Sequence, residues 1–194
     1  MARHKEFNRQ DVLDKAMLTF WRQGYEGTSI RNLIASMGIH RGSLYDTFGD
    51  KHSLFQETLA HYDHTVVETN LAPLQEADAS LAALGSFFEA VVDWSLEDGD
   101  RKGCLLVNTA AELAPHDPRI SEQLRRYFYR IELTFAQVLE RARQRQEMTH
   151  SGDISLLAKY LLANLQGLRL AAKLDPNRQT LQGLVDITFS TLTE

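Results

Sequence analysis

The chain has 194 residues, 43% of them hydrophobic and 24% charged, which suits a core-forming globular protein and not a disordered one. The net charge of -5 argues against a protein that simply coats nucleic acid, and the single cysteine excludes an internal disulfide framework. No run of about 18 apolar residues offers a membrane span, and the charged start MARHKEFNRQ lacks the apolar segment of a secretory signal, so a cytoplasmic, reducing location is expected.

Residues 1–7 are polar. Asn8 is placed to cap a first helix running to Gln23, with Val12, Leu13, Ala16, Met17, Phe20 and Trp21 as its buried stripe and Gly24 as its end. Lys5 and Arg9 stand within reach of a phosphate, although solvated surface charge is the better explanation for each. Thr28 and Ser29 offer capping hydroxyls before Ile30, Leu33, Ile34 and Met37, whose three- and four-residue spacing predicts a short amphipathic helix. Gly38 then supplies a left-handed turn and Ile39 an apolar plug. In the following stretch Leu44 and Phe48 fall on a buried side, while His40, Arg41, Ser43, Tyr45 and Thr47 face outward.

Helix, glycine turn and second helix is the helix-turn-helix order, in which the second helix enters the major groove. The Thr-Ser start at 28 and 29, the Gly38-Ile39 turn, the run Arg41-Gly42-Ser43-Leu44-Tyr45, then Phe48, Lys51 and Leu54 together resemble the TetR-type repressor family. The resemblance covers about the first third of the chain. It implies a helix-turn-helix motif at 29–48 inside a DNA-binding domain at 6–66 that includes a connector helix. The expected contacts to double-stranded DNA are Thr28, Ser29, His40, Arg41, Gly42, Ser43, Tyr45, Thr47 and Lys51. Arg41 has the donor fork for a guanine edge. Gly42 costs a helix about 1 kcal/mol relative to alanine, which a close approach of DNA backbone would explain. Lys51 opposes the dipole of the helix that Asp50 caps, a conflict that a facing phosphate resolves.

Charge is distributed to match. Residues 1–51 carry 8 Lys and Arg against 6 Asp and Glu, or +2, and the remainder carries 13 against 20, or -7. A mildly positive reader on an acidic body favours local phosphate contact, though chance asymmetry would look the same. Leu54, Phe55, Leu59, Tyr62 and Val66 continue a fourth helix toward Pro73. His61 and His64 have a metal-compatible spacing, but without a third ligand they are expected to be exposed histidines, and no metal or cofactor is expected.

The remainder, 67–194, reads as helices alone, giving an all-α chain of about nine helices. Leu81 to Trp94 form a deeply buried helix, Gly103 to Ala114 a shorter one, Ile120 to Leu139 a long one, and two more run from about Asp153 to Lys173 and Arg178 to Leu192. A reader of two half-sites needs a symmetric dimer with recognition helices about one DNA turn, or ~34 Å, apart. The resemblance implies that the last two helices form this homodimer, for which Leu157, Leu161, Ala163, Gly167, Leu168, Ala171, Leu184, Ile187 and Thr188 are candidates. It also implies an effector cavity in the C-terminal domain, for which Phe87, Phe88, Trp94, Asn108, Tyr127, Phe128 and Phe135 are available; the small-molecule effector is not readable. Cys104, after Gly103 at an expected helix start, looks like the sensing cysteine of electrophile-responsive relatives, against the simpler reading of a small buried residue. Arg101 and Lys102 stand near enough to favour its thiolate. No phosphate loop, zinc spacing or nucleophile elbow supports the alternative of a helical enzyme. The other alternative, a helical interaction module that does not bind DNA, requires the face around Arg41 to be idle.

Overall fold

In the computed structural model, which describes residues 7–193, side-chain caps fix where the N-terminal helices begin. Asn8 Oδ1 accepts the Gln10 N–H at 2.9 Å and opens α1 (Arg9–Gln23). Ser29 opens α2 (Ile30–Met37) by a reciprocal exchange: the Asn32 N–H donates to Ser29 Oγ at 3.1 Å, and the Ser29 N–H donates to Asn32 Oδ1 at 3.0 Å. After α3 (Arg41–Phe48), Asp50 opens α4 (Lys51–Tyr62) by accepting the Ser53 N–H at 2.7 Å. Lys5 lies outside the described residues.

The connector is one rod with a fault in it. α4 passes through a π turn (Asp63–Val67) into α5 (Glu68–Gln75) without leaving helical geometry. Asp63 is buried in that turn and pairs with Arg130, which also donates to Glu68 at 3.0 Å. Burial pushes the Asp63 carboxyl above its usual range, with the Arg130 guanidinium pulling the other way. His61, expected to be exposed, is buried instead: its Nε2 lies 2.6 Å from Asp14 Oδ1 and its Nδ1 3.1 Å from Gln10 Nε2. The histidine ties α4 to α1, and among the described residues no metal-holding cluster occurs.

Then follow α6 (Leu81–Glu97), α7 (Leu105–Glu112), α8 (Pro118–Gln144), α9 (Ile154–Leu174) and α10 (Arg178–Thr193). Counting the interrupted rod once gives nine helices and no strand among the described residues, as expected. Pro118 opens α8 at a position where its missing N–H costs nothing. Two cores result. One joins α1 to α4 with Leu105, Leu106, Ile120 and Leu124, so α7 and the start of α8 complete the core of the N-terminal head. The other fills the space among α5, α6, α8, α9 and α10.

The two C-terminal helices divide their apolar residues between opposite faces. Leu157, Leu161 and Leu168 are turned into the protomer's own core, and Thr188 is buried with its hydroxyl donated to Leu184 O at 2.7 Å, which corrects their assignment as partner-facing. The outward stripe on α9 is Leu156, Tyr160, Ala163, Gly167, Leu170 and Leu174, with Ala171 half-buried beside it. α10 adds Leu184 and Ile187. Spacings of four and three alternate along the α9 stripe, the pattern of a seam between paired helices.

Candidate nucleic-acid interface

The turn between α2 and α3 depends on Gly38, whose φ of 69° and ψ of 29° place it in the left-handed region. Its N–H donates to Ile34 O at 3.1 Å, ending α2 and letting the chain reverse so that Leu33, Met37, Leu44 and Phe48 share one core. Burying those residues leaves the opposite side of α3 to solvent. Arg41, Gly42, Tyr45 and Asp46 are exposed, while Ser43 and Thr47 are half-buried at its margin.

Three features suit this face to a polyanion. His40 precedes α3 without making a side-chain cap, so no side chain occupies the first-turn N–H groups. The Arg41 guanidinium lies 5.7 Å from the Tyr45 ring centroid, held over an aromatic face rather than by a carboxylate. A Cβ built on Gly42 meets nothing within 4 Å, so packing within the protein does not explain the glycine.

Two expected contacts, Thr28 and Lys51, are placed differently, while Ser29 caps its helix as expected. Thr28 is fully buried, donating its hydroxyl to Gly24 O at 2.6 Å and its N–H to Tyr25 O at 3.2 Å. It holds the α1–α2 turn and has no group left for phosphate. Ser29 is the cap, and because it exchanges bonds with Asn32, the N–H groups open at this helix start are those of Ile30 and Arg31. Lys51 is half-buried with Nζ 4.2 Å from the Tyr25 ring centroid, so the aromatic face offsets part of its conflict with the helix dipole. Arg9 pairs with Glu57 and lies 5.2 Å from the Phe48 centroid, which takes it into the head's own packing.

Arg31 was not among the expected contacts. It is exposed in the first turn of α2, beside the open N–H groups. The available signal was its position on the helix face opposite Leu33 and Met37.

Several side-chain bonds fasten the head to the body. Glu112, the last residue of α7, accepts the N–H groups of Tyr25 at 2.9 Å and Glu26 at 2.8 Å in the α1–α2 turn. His52 Nε2 lies 2.6 Å from Asp117 Oδ2, at the start of α8. Arg22 pairs with Asp100 at 2.6 Å, and Trp21 Nε1 donates to Gly103 O at 3.1 Å. Beside this last bond Cys104 caps α7, nearly buried at 8% exposure, and Tyr62 donates its hydroxyl to Cys104 Sγ at 3.6 Å. Lys102, expected to act on Cys104, is paired with Asp98 and lies 5.6 Å from the Trp21 ring centroid.

A triad of helices around one core, with one face of the third left to solvent, fixed to a helical body that has its own core, defines a helix-turn-helix DNA reader coupled to a second domain. Residues 12–58 match the model of bacterial regulatory proteins of the tetR family, and residues 80–187 match that of the tetracyclin repressor-like C-terminal domain. The chain therefore belongs to the TetR family of DNA-binding transcriptional regulators, and not to an enzyme family. It is 37% identical to the uncharacterized HTH-type transcriptional regulator YezE of Bacillus subtilis (strain 168), over 99% of this chain and 100% of that protein. Identity to the HTH-type transcriptional repressor ComR of Escherichia coli (strain K12) is 30%, over 98% of this chain and 90% of the relative. Among solved structures, a triple cysteine mutant of the TetR family transcriptional regulator CifR, complexed with 26-base-pair double-strand operator DNA, superposes with a TM-score of 0.87 at 27% identity, covering 98% of this chain and 100% of that one. No helix among the described residues is long and apolar enough to cross a membrane.

Proposed function

We propose that this protein is a homodimeric cytoplasmic repressor that binds a two-half-site operator through α3 and is released when its C-terminal domain takes up an effector. The carrying observation is the uncovered face of Arg41, Gly42, Ser43 and Tyr45, with unclaimed N–H groups at the start of the same helix. His40, Ser29, Thr47 and Lys51 complete the DNA-facing set, with Arg31 added. The likeness to CifR in complex with operator DNA and to a relative described as a repressor supports this direction of control. The domains divide at residues 6–66 and 67–194, and the outward stripe of α9 with Leu184 and Ile187 supplies the dimer seam.

The effector site is the cavity bounded by Tyr62 and Val66 of the connector, Cys104 at the start of α7, Phe128 of α8 and Leu165 of α9. Phe87 and Phe128 of the expected lining residues border it, whereas Phe88 and Phe135 are buried in the core behind. An effector acts only by favouring one spacing of the heads over the other. A second route is supported by Cys104 bordering the same cavity: an electrophile adding to its sulfur would displace the Tyr62 hydroxyl and disturb α7 against the head. Gel shifts against the gene's own upstream DNA test the repressor reading, which fails if no fragment is retained above competitor DNA. The cysteine route fails separately if Cys104→Ser is induced by every electrophile as wild type is.

A further inference from the structure

The charge inside the C-terminal domain runs against the charge of the whole. The chain has a net charge of -5, and residues 52–194 hold 13 basic against 20 acidic side chains. Yet no Asp or Glu lines the inner cavity or the outer cleft that joins it between the connector and α6. The one charged residue bordering both is Arg169 of α9.

Its surroundings show that this cation is not there to pair within the protein. Among the described residues Arg169 enters no ion pair, and its guanidinium lies 5.6 Å from the ring centroid of Trp94. The other residues around it carry no formal charge: Val66, Phe87 and Asn70 border both spaces, Gln166, Tyr62 and Cys104 the inner one, and Thr69 and Ser86 the outer. A half-buried guanidinium in a low-dielectric cleft attracts an anion far more strongly than a surface arginine would. The inner space is narrow, about 30 Å³ beside an outer cleft of about 490 Å³, so it must widen to admit a ligand, and a slender apolar body asks for less widening than a bulky ring system.

We infer that the effector is an organic acid with a slender apolar tail, its carboxylate bound by Arg169 at the junction of the two spaces and its tail lying toward Phe128 and Leu162. This rests on reading the cavity as the effector site. Arg169 is the specificity-determining residue, because a neutral ligand gains nothing from it and a cationic one is repelled. A carboxylate that draws the guanidinium inward also takes it from Trp94, whose ring stacks on Trp21 of the head. Occupation of the cavity is thereby linked to the seam that positions the DNA reader.

The test uses the full-length protein and three probes of equal chain length: octanoate, 1-octanol and octylammonium, with binding measured by titration calorimetry. Octanoate is expected to bind at least about tenfold more tightly than 1-octanol, about 1.4 kcal/mol, with octylammonium weakest. Arg169→Met should bring octanoate and 1-octanol to equal affinity, and Arg169→Lys should keep the preference. Equal affinity of the three probes for the wild-type chain, or binding by none, overturns the inference, and this comparison needs no variant to fold. A preference that persists in a folded Arg169→Met chain also overturns it. Operator release is followed separately by gel shift: preferential octanoate binding without release leaves the ligand class standing and removes the effector role of the site.

Discussion

Trp21 of α1 and Trp94 of α6 stack across the junction of head and body, with ring centroids 5.7 Å apart and planes 20° from parallel. Lys102 lies 5.6 Å from the Trp21 centroid and Arg169 5.6 Å from that of Trp94, and Tyr62 meets Trp21 edge-on at 4.9 Å. These are the chain's two tryptophans, so its intrinsic fluorescence reports on one place, the seam through which any change in head position must pass. Stacking of this kind adds about 0.5–1.5 kcal/mol beyond area burial. Trp94→Phe should abolish the exciton couplet of stacked indoles in circular dichroism, and effector binding to wild type should weaken the same couplet. A couplet unchanged at saturating effector would mean that the seam does not move.

Glu112 should matter out of proportion to its position at a helix end. Its carboxylate accepts two N–H groups of the α1–α2 turn, and Gly24, at φ 74°, leaves it the necessary room, since a Cβ there would stand 3.0 Å from Glu112 Oε2. Glu112→Ala removes two charge-assisted bonds, and a stability loss of about 1.5–3 kcal/mol is expected by denaturant unfolding. DNA affinity should fall with it, because the turn that aims α2 loses its anchor. Gly24→Ala should be destabilising through both the close approach and the positive φ.

The cap of α4 gives a pH dependence with a definite sign. The Ser53 N–H bond holds the Asp50 carboxyl below its usual range. A folded-state value depressed below the unfolded one contributes stability that is present above the unfolded value and lost as pH falls through the folded value. Asp50→Ala should therefore cost about 1 kcal/mol at neutral pH, and the difference from wild type should vanish in acid below the carboxylate range. Thermal melts across that range check it; a constant difference would show that the carboxylate's charge contributes nothing.

What the sequence made legible was what is local. Gly38, Ser29 and Asp50 act where their types and positions said they would, because a cap is decided within four residues. The long apolar period of α8 was likewise readable. Periodicity shows that a face is apolar but not what covers it, so it cannot distinguish a partner from the protomer's own core, which is what Leu157, Leu161 and Leu168 face. Thr28 and Ser29 are adjacent and chemically alike, and only the path of the turn decides which is buried. The π turn leaves no mark in residue type. Contacts such as Tyr62 with Cys104 and Glu112 with the α1–α2 turn join residues 42 and 86 or more positions apart, beyond any local pattern.

The dimer seam is testable without DNA. Gly167 is exposed on the outward stripe and a Cβ there meets nothing of its own chain, so Gly167→Glu should leave the protomer folded. The introduced carboxylate would be buried unpaired between two copies, a cost of several kcal/mol. Wild type is expected to sediment as a dimer at micromolar concentration and Gly167→Glu as a folded monomer. A monomeric wild type would contradict the seam.

Within the DNA-facing set, Arg41 and Arg31 should separate by kind of effect. Arg41→Ala is expected to cost about 1–3 kcal/mol on the best site and to relax base preference there. Arg31→Ala should weaken binding alike on all sequences and reduce the salt slope by about 1. Equal effects of both on preference would remove the division between base and backbone contacts.

The most direct test of the central claim is a single variant measured twice. Gly42 is exposed within α3 with open space where a side chain would stand, so Gly42→Ala should raise folding stability by up to about 1 kcal/mol. If DNA lies against this face, the same methyl group should lower operator affinity by about tenfold or more in an anisotropy titration, about 1.4 kcal/mol. A chain that becomes more stable and binds less tightly is the predicted result. A chain that becomes more stable and binds its operator as wild type does would contradict contact between this face of α3 and DNA.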